Sequence, residues 1–178
     1  MRAADVYGTA FRQGLRPESK LTVSEWADKY RLLSQRASAE AGRWRTARTP
    51  YLREIMDALS SSSPYERVVF MKGAQIGGTE CGNNFVGYVI HHAPGPIMSI
   101  QPTVEMAKRN SKQRIDPLIE ESPVLRNLVQ SPRSRDSGNT IPSKEFPGGS
   151  GYNLRASDPA YIRPVDQKSV DSLIALRR

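Results

Sequence analysis

Apolar residues recur along this chain in short helical stripes and two strand-like runs, set between polar and glycine-rich stretches. Thr22-Val23-Ser24-Glu25 has capping-box spacing and predicts a short helix to about residue 30, with Trp26 anchoring it to the body. At Thr49-Pro50 a capping residue precedes a proline suited to the first turn. Leu52, Ile55, Met56 and Leu59 then fall at i, i+3, i+4 and i+7, a single buried stripe. A serine run and Pro64 close that helix. Residues 67–71 are apolar, partly β-branched and too short for a helix, so they predict a strand. A helix over 79–92 follows a glycine-rich loop, with Phe85, Val86, Val89 and Ile90 inward and Ala93-Pro94-Gly95-Pro96 as its stop. Residues 97–100 predict a second strand. A long helix then runs over 103–122, bent or interrupted at Pro117, and a short one over 123–129.

The intervening stretches lack such periods. Residues 1–20 read as a loosely held arm. Residues 34–48 carry Arg36, Arg43, Arg45 and Arg48, and suit either a solvated connector or a loop that meets phosphate. Residues 131–144 read as a loop, and 144–149 as a strand end and turn. Strand, helix, strand, helix with short connections predicts the α/β class, a parallel sheet with helices on its faces. The glycine loop then lies at the carboxyl end of the first strand, where open α/β sheets bind ligands.

That loop gives the pattern its chemistry. Lys72-Gly73-Ala74-Gln75-Ile76-Gly77-Gly78-Thr79 leads from strand to helix. Backbone amides in such a loop point into a concavity, and the helix N-terminus adds partial positive charge, which together suit a phosphate. A Thr at the helix start can ligate magnesium, and a nearby Lys can reach terminal phosphates. The usual spacing G-x-x-x-x-G-K-[ST] is not met. With Thr79 as the hydroxyl residue, Gly78 stands where the Lys belongs and Lys72 where the first Gly belongs. The basic residue has moved to the front of the loop. A strand-to-helix turn with no ligand is the alternative.

Totals narrow the field further. The chain has 178 residues, one ordinary domain, and a net charge of +8, which favours a polyanionic partner, nucleic acid first. A predicted basic face holds Lys108, Arg109, Lys112 and Arg114; such a run is usually a solvated surface, and contact with DNA is the alternative. Hydrophobic residues make up 38%, enough for a core with some segments outside it. The single cysteine, Cys81, excludes an internal disulfide and a cysteine metal cluster. No apolar run approaches about 20 residues, and no signal-peptide pattern opens the chain, so neither membrane span nor secretion is expected.

Several ordered blocks resemble the large terminase subunit of tailed phages, lambda-type branch. They are Gly42-Arg43-Trp44, Pro50-Tyr51-Leu52-Arg53-Glu54-Ile55-Met56, Val69 through Glu80, Gly87-Tyr88-Val89-Ile90-His91-His92, Gln101-Pro102-Thr103, Arg114-Ile115-Asp116-Pro117 and Phe146-Pro147-Gly148-Gly149. The likeness extends over about residues 20–150. The resemblance implies an ATP-driven motor that packages double-stranded viral DNA, with the ATPase in the N-terminal half and an endonuclease in the C-terminal half. It implies a P-loop fold of the RecA-like, additional-strand type, mostly parallel and incomplete in this chain. It implies ATP and Mg2+ as cofactors, the terminase small subunit, the portal and the procapsid as partners, a homo-oligomeric motor, and the cytoplasm of the bacterial host. Members of this branch carry the loop Lys at the front, so Lys72 matches. By resemblance Lys72 contacts the terminal phosphates, Gly73, Ala74, Gln75, Ile76, Gly77 and Gly78 cradle them, and Thr79 holds magnesium. Tyr51 is the candidate for adenine contact, although Leu52 stands where the family often has Gln, and core packing suits Tyr51 as well. His91 and His92, at the helix end, are assigned no metal.

The resemblance also implies an Asp and a Glu at the end of a later apolar strand, near residues 170–178, to hold magnesium and orient water. An apolar run is present there, but it ends in Arg177-Arg178, and Asp171 sits at its opposite end. The expectation is a chain truncated or frame-disrupted relative to the family. Its likeness would fail from about Ser150, its arm and linker would span 1–48, a partial ATPase domain 49–149 and a divergent tail 150–178. Nucleotide binding without meaningful hydrolysis or nuclease activity follows from that expectation. A non-enzymatic basic DNA-binding remnant is the alternative.

Overall fold

A computed structural model of the chain describes residues 20–33, 40–129, 140–141, 143–147 and 150–156, together with Phe11 and Gln35. Most of the expected arm, most of the expected loop at 131–144, and residues 157–178 lie outside the described residues.

Thr22 caps helix α1 (Val23–Tyr30) through a complete capping box: its side chain accepts from the Glu25 amide, and the Glu25 carboxylate accepts from the Thr22 amide. Trp26 is fully buried, as expected for an anchor. Its ring fills a notch over Gly87 of the central helix, a position where any Cβ would run into the indole. Two short strands, β1 (Leu32–Leu33) and β2 (Gly42–Arg43), pair antiparallel. The described part of the expected connector is therefore not simply solvated. Trp44 and Thr46 are buried, and the Thr46 amide donates to Asp28 Oδ1 at 2.6 Å.

The helix expected after Thr49 opens instead as two 3-10 turns, Thr46–Arg48 and Pro50–Leu52, before α2 (Arg53–Ala58). Thr49 gives no side-chain cap, and its buried hydroxyl has no partner among the described residues. The apolar stripe itself is present: Leu52, Met56 and Leu59 are buried and Ile55 packs beside them.

Helix α3 (Gly78–His91) is the centre of the molecule, with every residue from Cys81 to Ile90 buried. It leads to β3 (Ile97–Gln101). Then α4 (Val104–Asn110) passes through a π turn (Ser111–Ile115) into α5 (Asp116–Glu121), and α6 (Pro123–Arg126) follows. The expected interruption thus lies before Pro117 and not at it. A proline lacks the amide for an i−4 bond and its ring crowds the carbonyl of Gln113, which sits inside the π turn.

The sheet is mixed. β5 (Ser150–Ala156) lies between β3, to which it is parallel, and β4 (Ser143–Phe146), to which it is antiparallel. Two expectations are corrected here. Residues 150–156, read as the start of a divergent tail, form the central strand, with Tyr152 and Leu154 turned into the core. Residues 67–71, read as the first strand, pair with nothing among the described residues. They keep a strand's alternation, Val68 and Phe70 against the core and Val69 and Met71 outward, but the edge of β3 away from β5 carries no strand among the described residues. A strand exists only through its partners' hydrogen bonds, so an alternating pattern alone does not make one.

Candidate phosphate site at the start of the central helix

The loop over 72–79 connects the unpaired segment to α3. Gln75 has φ 58° and Gly77 φ 84°, both left-handed. For glutamine that conformation is uncommon and costs of order 1–3 kcal/mol, a cost that clusters at ligand sites. Gly77 ends the loop as the residue before α3, and its carbonyl accepts from the Cys81 amide at 3.0 Å. The first amides of an α-helix have no acceptor within the helix, which makes such a terminus suited to an anion.

The turn at Pro50–Leu52 braces this loop from below. Tyr51 donates its hydroxyl to the Ile76 carbonyl at 3.2 Å, and Leu52 Cδ1 lies 3.0 Å from where a Cβ on Gly77 would stand. Tyr51 keeps its ring 54% exposed while doing so. Leu52 is accordingly a packing residue under the loop.

Lys72 is the informative side chain. Its Cδ and Cε lie 2.5 and 2.7 Å from the position a Cβ on Gly78 would take. The lysine stem therefore runs across the loop and over the glycine that stands where the usual lysine would be. Absence of a side chain at Gly78 lets a lysine from the front of the loop lie across the start of α3. Gly73, by contrast, faces open space. Thr79 is exposed and borders a cavity of about 140 Å3 between α3 and β3, with Ser99, Gln101 and Asn110 among the polar lining. No Asp or Glu lines it among the described residues.

Glu80, the next residue, binds two arginines and an asparagine. Its Oε2 lies 3.0 Å from Arg31 Nη2, and its Oε1 lies 3.3 Å from Arg114 Nη1 and 3.1 Å from Asn83 Nδ2. Arg31 also donates to Asn84 Oδ1 at 3.2 Å. Burial lowers the pKa of Arg31 from its ordinary value, and the Glu80 carboxylate opposes that shift. Sequence reasoning missed this cluster. The only signal was an acid in the first helical turn, and its buried partner is 49 residues away.

Other expected residues fall elsewhere. Lys108, Arg109 and Lys112 are exposed along α4 and the π turn, whereas Arg114 is half-buried on Glu80 and leaves that basic face. His91 accepts at Nδ1 from Trp26 Nε1 at 3.0 Å, and His92 packs on the Tyr88 ring. No group of three or more metal-ligating side chains occurs among the described residues, and no helix among them is long and apolar enough to cross a membrane.

Residues 38–171 match the family described as phage terminase large subunit gpA, ATPase domain. The match passes Gly149, which corrects the expectation that likeness fails near Ser150. The chain is 30% identical over 160 residues to the terminase large subunit of Escherichia phage lambda, and 28% over 151 residues to that of Enterobacteria phage P21. These alignments take in 90% and 85% of this chain but 24% and 23% of those proteins, so the chain spans about a quarter of their length. No solved structure gives a significant match.

Proposed function

The chain belongs to the phage terminase large subunit gpA family through its ATPase domain, and from that premise we propose that it is the nucleotide-binding part of a DNA-packaging motor. The observation that carries this reading is the Lys72 stem laid over Gly78 at the start of α3. Lys72 would meet the terminal phosphates of ATP. The backbone of residues 73–78 would cradle them, and Thr79 would hold Mg2+, which supplies charge neutralisation when bound. The exposed Tyr51 ring beside the loop supports a stacking contact with adenine. On this reading the mixed sheet is part of a RecA-like, additional-strand P-loop fold. Double-stranded viral DNA would meet Lys108, Arg109 and Lys112. The small subunit, portal and procapsid, further copies of the motor, and the host cytoplasm complete the setting.

The reading is one of binding more than turnover. Phosphoryl transfer needs carboxylates that hold the metal and orient the water, and the cavity beside Thr79 has none in its lining among the described residues. Hydrolysis by this chain is accordingly expected to be orders of magnitude below that of a complete motor.

Titration with a fluorescent ATP analogue and Mg2+ tests the proposal. Saturable binding is expected, weakened about tenfold or more by Lys72→Ala. Absence of saturable binding, or equal affinity in the variant, contradicts it. The net charge of +8 and the exposed Lys108, Arg109 and Lys112 favour one second reading, a purely electrostatic DNA binder. DNA affinity that falls steeply with salt and ignores ATP would select that reading.

A further inference from the structure

β3 ends at Gln101, and the carboxyl ends of strands are where open α/β sheets place their ligands. Side chains alternate along it. Met98 and Ile100 face outward, while Ser99 and Gln101 turn the other way and line the cavity of about 140 Å3 that Gly78 and Thr79 border from α3. The start of α3 and the end of β3 thus open onto one space. That space exceeds by about tenfold the volume of roughly 10–15 Å3 that admits one water. Asn110, the last residue of α4, joins the lining. Among the described residues no charged side chain does. Gln101 is aimed by its neighbours. Its Nε2 donates to Ser99 Oγ at 3.3 Å, and Ser99 hydrogen-bonds the buried phenol of Tyr152 on β5. Among the described residues the carboxamide oxygen of Gln101 and the carboxamide of Asn110 have no partner. Polar groups held in a cavity in this way are completed by water or a ligand.

We propose that this cavity receives the third phosphate of a nucleoside triphosphate, and that Gln101 and Asn110 are the residues that distinguish a triphosphate from a diphosphate. This rests on the phosphate-site reading above. The loop backbone cradles the phosphate chain from the α3 side. The two carboxamides donate N–H groups to the oxygens of its last member from the β3 side. Amides suit this place, because they donate to phosphoryl oxygens and bring no charge of their own. A cation here would repel Lys72, and a carboxylate would repel the phosphate. The tie through Ser99 to Tyr152 fixes Gln101 more firmly than Asn110, so Gln101 carries the larger share.

Titration calorimetry on the full chain with ATP and with ADP, each with Mg2+, tests this. Wild type is expected to bind ATP about tenfold more tightly than ADP. Gln101→Ala should lose about that factor for ATP and change ADP by less than about twofold, so the preference disappears. Asn110→Ala should move the ratio the same way by about threefold. Gln101→Glu keeps the side chain's size and sets a carboxylate against the third phosphate, so its ATP affinity should fall below that of Gln101→Ala. Equal losses for both nucleotides in Gln101→Ala mark a structural role and overturn the inference, as does an unchanged ratio. Should Gln101→Ala fail to fold, the ratio in Gln101→Glu decides. A wild type that binds ADP without preferring ATP leaves the phosphate-site reading standing and overturns this inference alone. A wild type that binds neither overturns both.

Discussion

On one flank of α3, Trp26 fills the notch over Gly87, Tyr30 packs edge-on to His91 at 4.9 Å, and Leu52 and Met56 are fully buried. On the other flank, between α3 and β3, a cavity of about 140 Å3 remains. Val69, Met71, Met98 and Ile100 stand in the open there, Met71 94% exposed. The same helix thus has a closed side that holds the fold and an open side that holds the glycine-rich loop over 72–79. The loop can keep uncommon backbone angles at Gln75 and Gly77 because the closed side fixes the helix it starts.

If the closed side carries the stability, Trp26→Ala should be the most damaging change. Loss of a fully buried indole is expected to cost about 3–5 kcal/mol, read by urea denaturation. A cost under about 1 kcal/mol would remove the distinction between the flanks.

Alkaline pH separates helix from sheet. Burial pushes the Cys81 thiol on α3 up from 9.0 to about 12, and burial pushes the Tyr152 phenol on β5 up from 10.0 to about 12, a shift that the Ser99 hydrogen bond opposes. Both folded values exceed the unfolded ones, so both contributions are whole below pH 9.0 and are lost as pH rises toward about 12. Each group should remove about 1.4 kcal/mol per pH unit once its unfolded form ionises. Denaturation midpoints from pH 8 to 11 check this. Cys81→Ala should delay the decline from 9.0 to about 10.0, where Tyr152 begins to act.

The open side should tolerate charge. Met98→Lys and Ile100→Lys, both on the exposed edge strand, are expected to change stability by no more than about 0.5 kcal/mol. Both should reduce concentration-dependent association in sedimentation, since an uncovered apolar edge invites pairing. A large loss of stability would mean that this edge is covered in solution.

The closed side was largely legible in the sequence. The capping box at Thr22, the stripe through Leu52, Met56 and Leu59, and the inward residues of α3 follow from local periodicity, which packing then honours. The open side was not. Residues 67–71 alternate as a strand does, yet pairing depends on distant chain that periodicity does not report. β5 carries a strand's signal, since Tyr152, Asn153, Leu154 and Arg155 alternate buried and exposed, although it lies past the family blocks, which end at Gly149. At the site, the front-placed Lys72 and Thr79 were visible as a motif. The Arg31–Glu80–Arg114 cluster was not, because charge pairs across 49 and 34 residues leave no periodic trace.

Central to this account is that Gly78 is bare so that Lys72 can cross the loop to the phosphate site. A double-mutant cycle on nucleotide affinity tests it directly, with Lys72→Ala, Gly78→Ala and the pair. Each single change is predicted to weaken binding about tenfold, and the pair no more than Lys72→Ala alone, because the new methyl acts chiefly by displacing the lysine, with Phe70 Cε1 at 3.3 Å its next neighbour. Additive losses, or full affinity in Gly78→Ala, would contradict it.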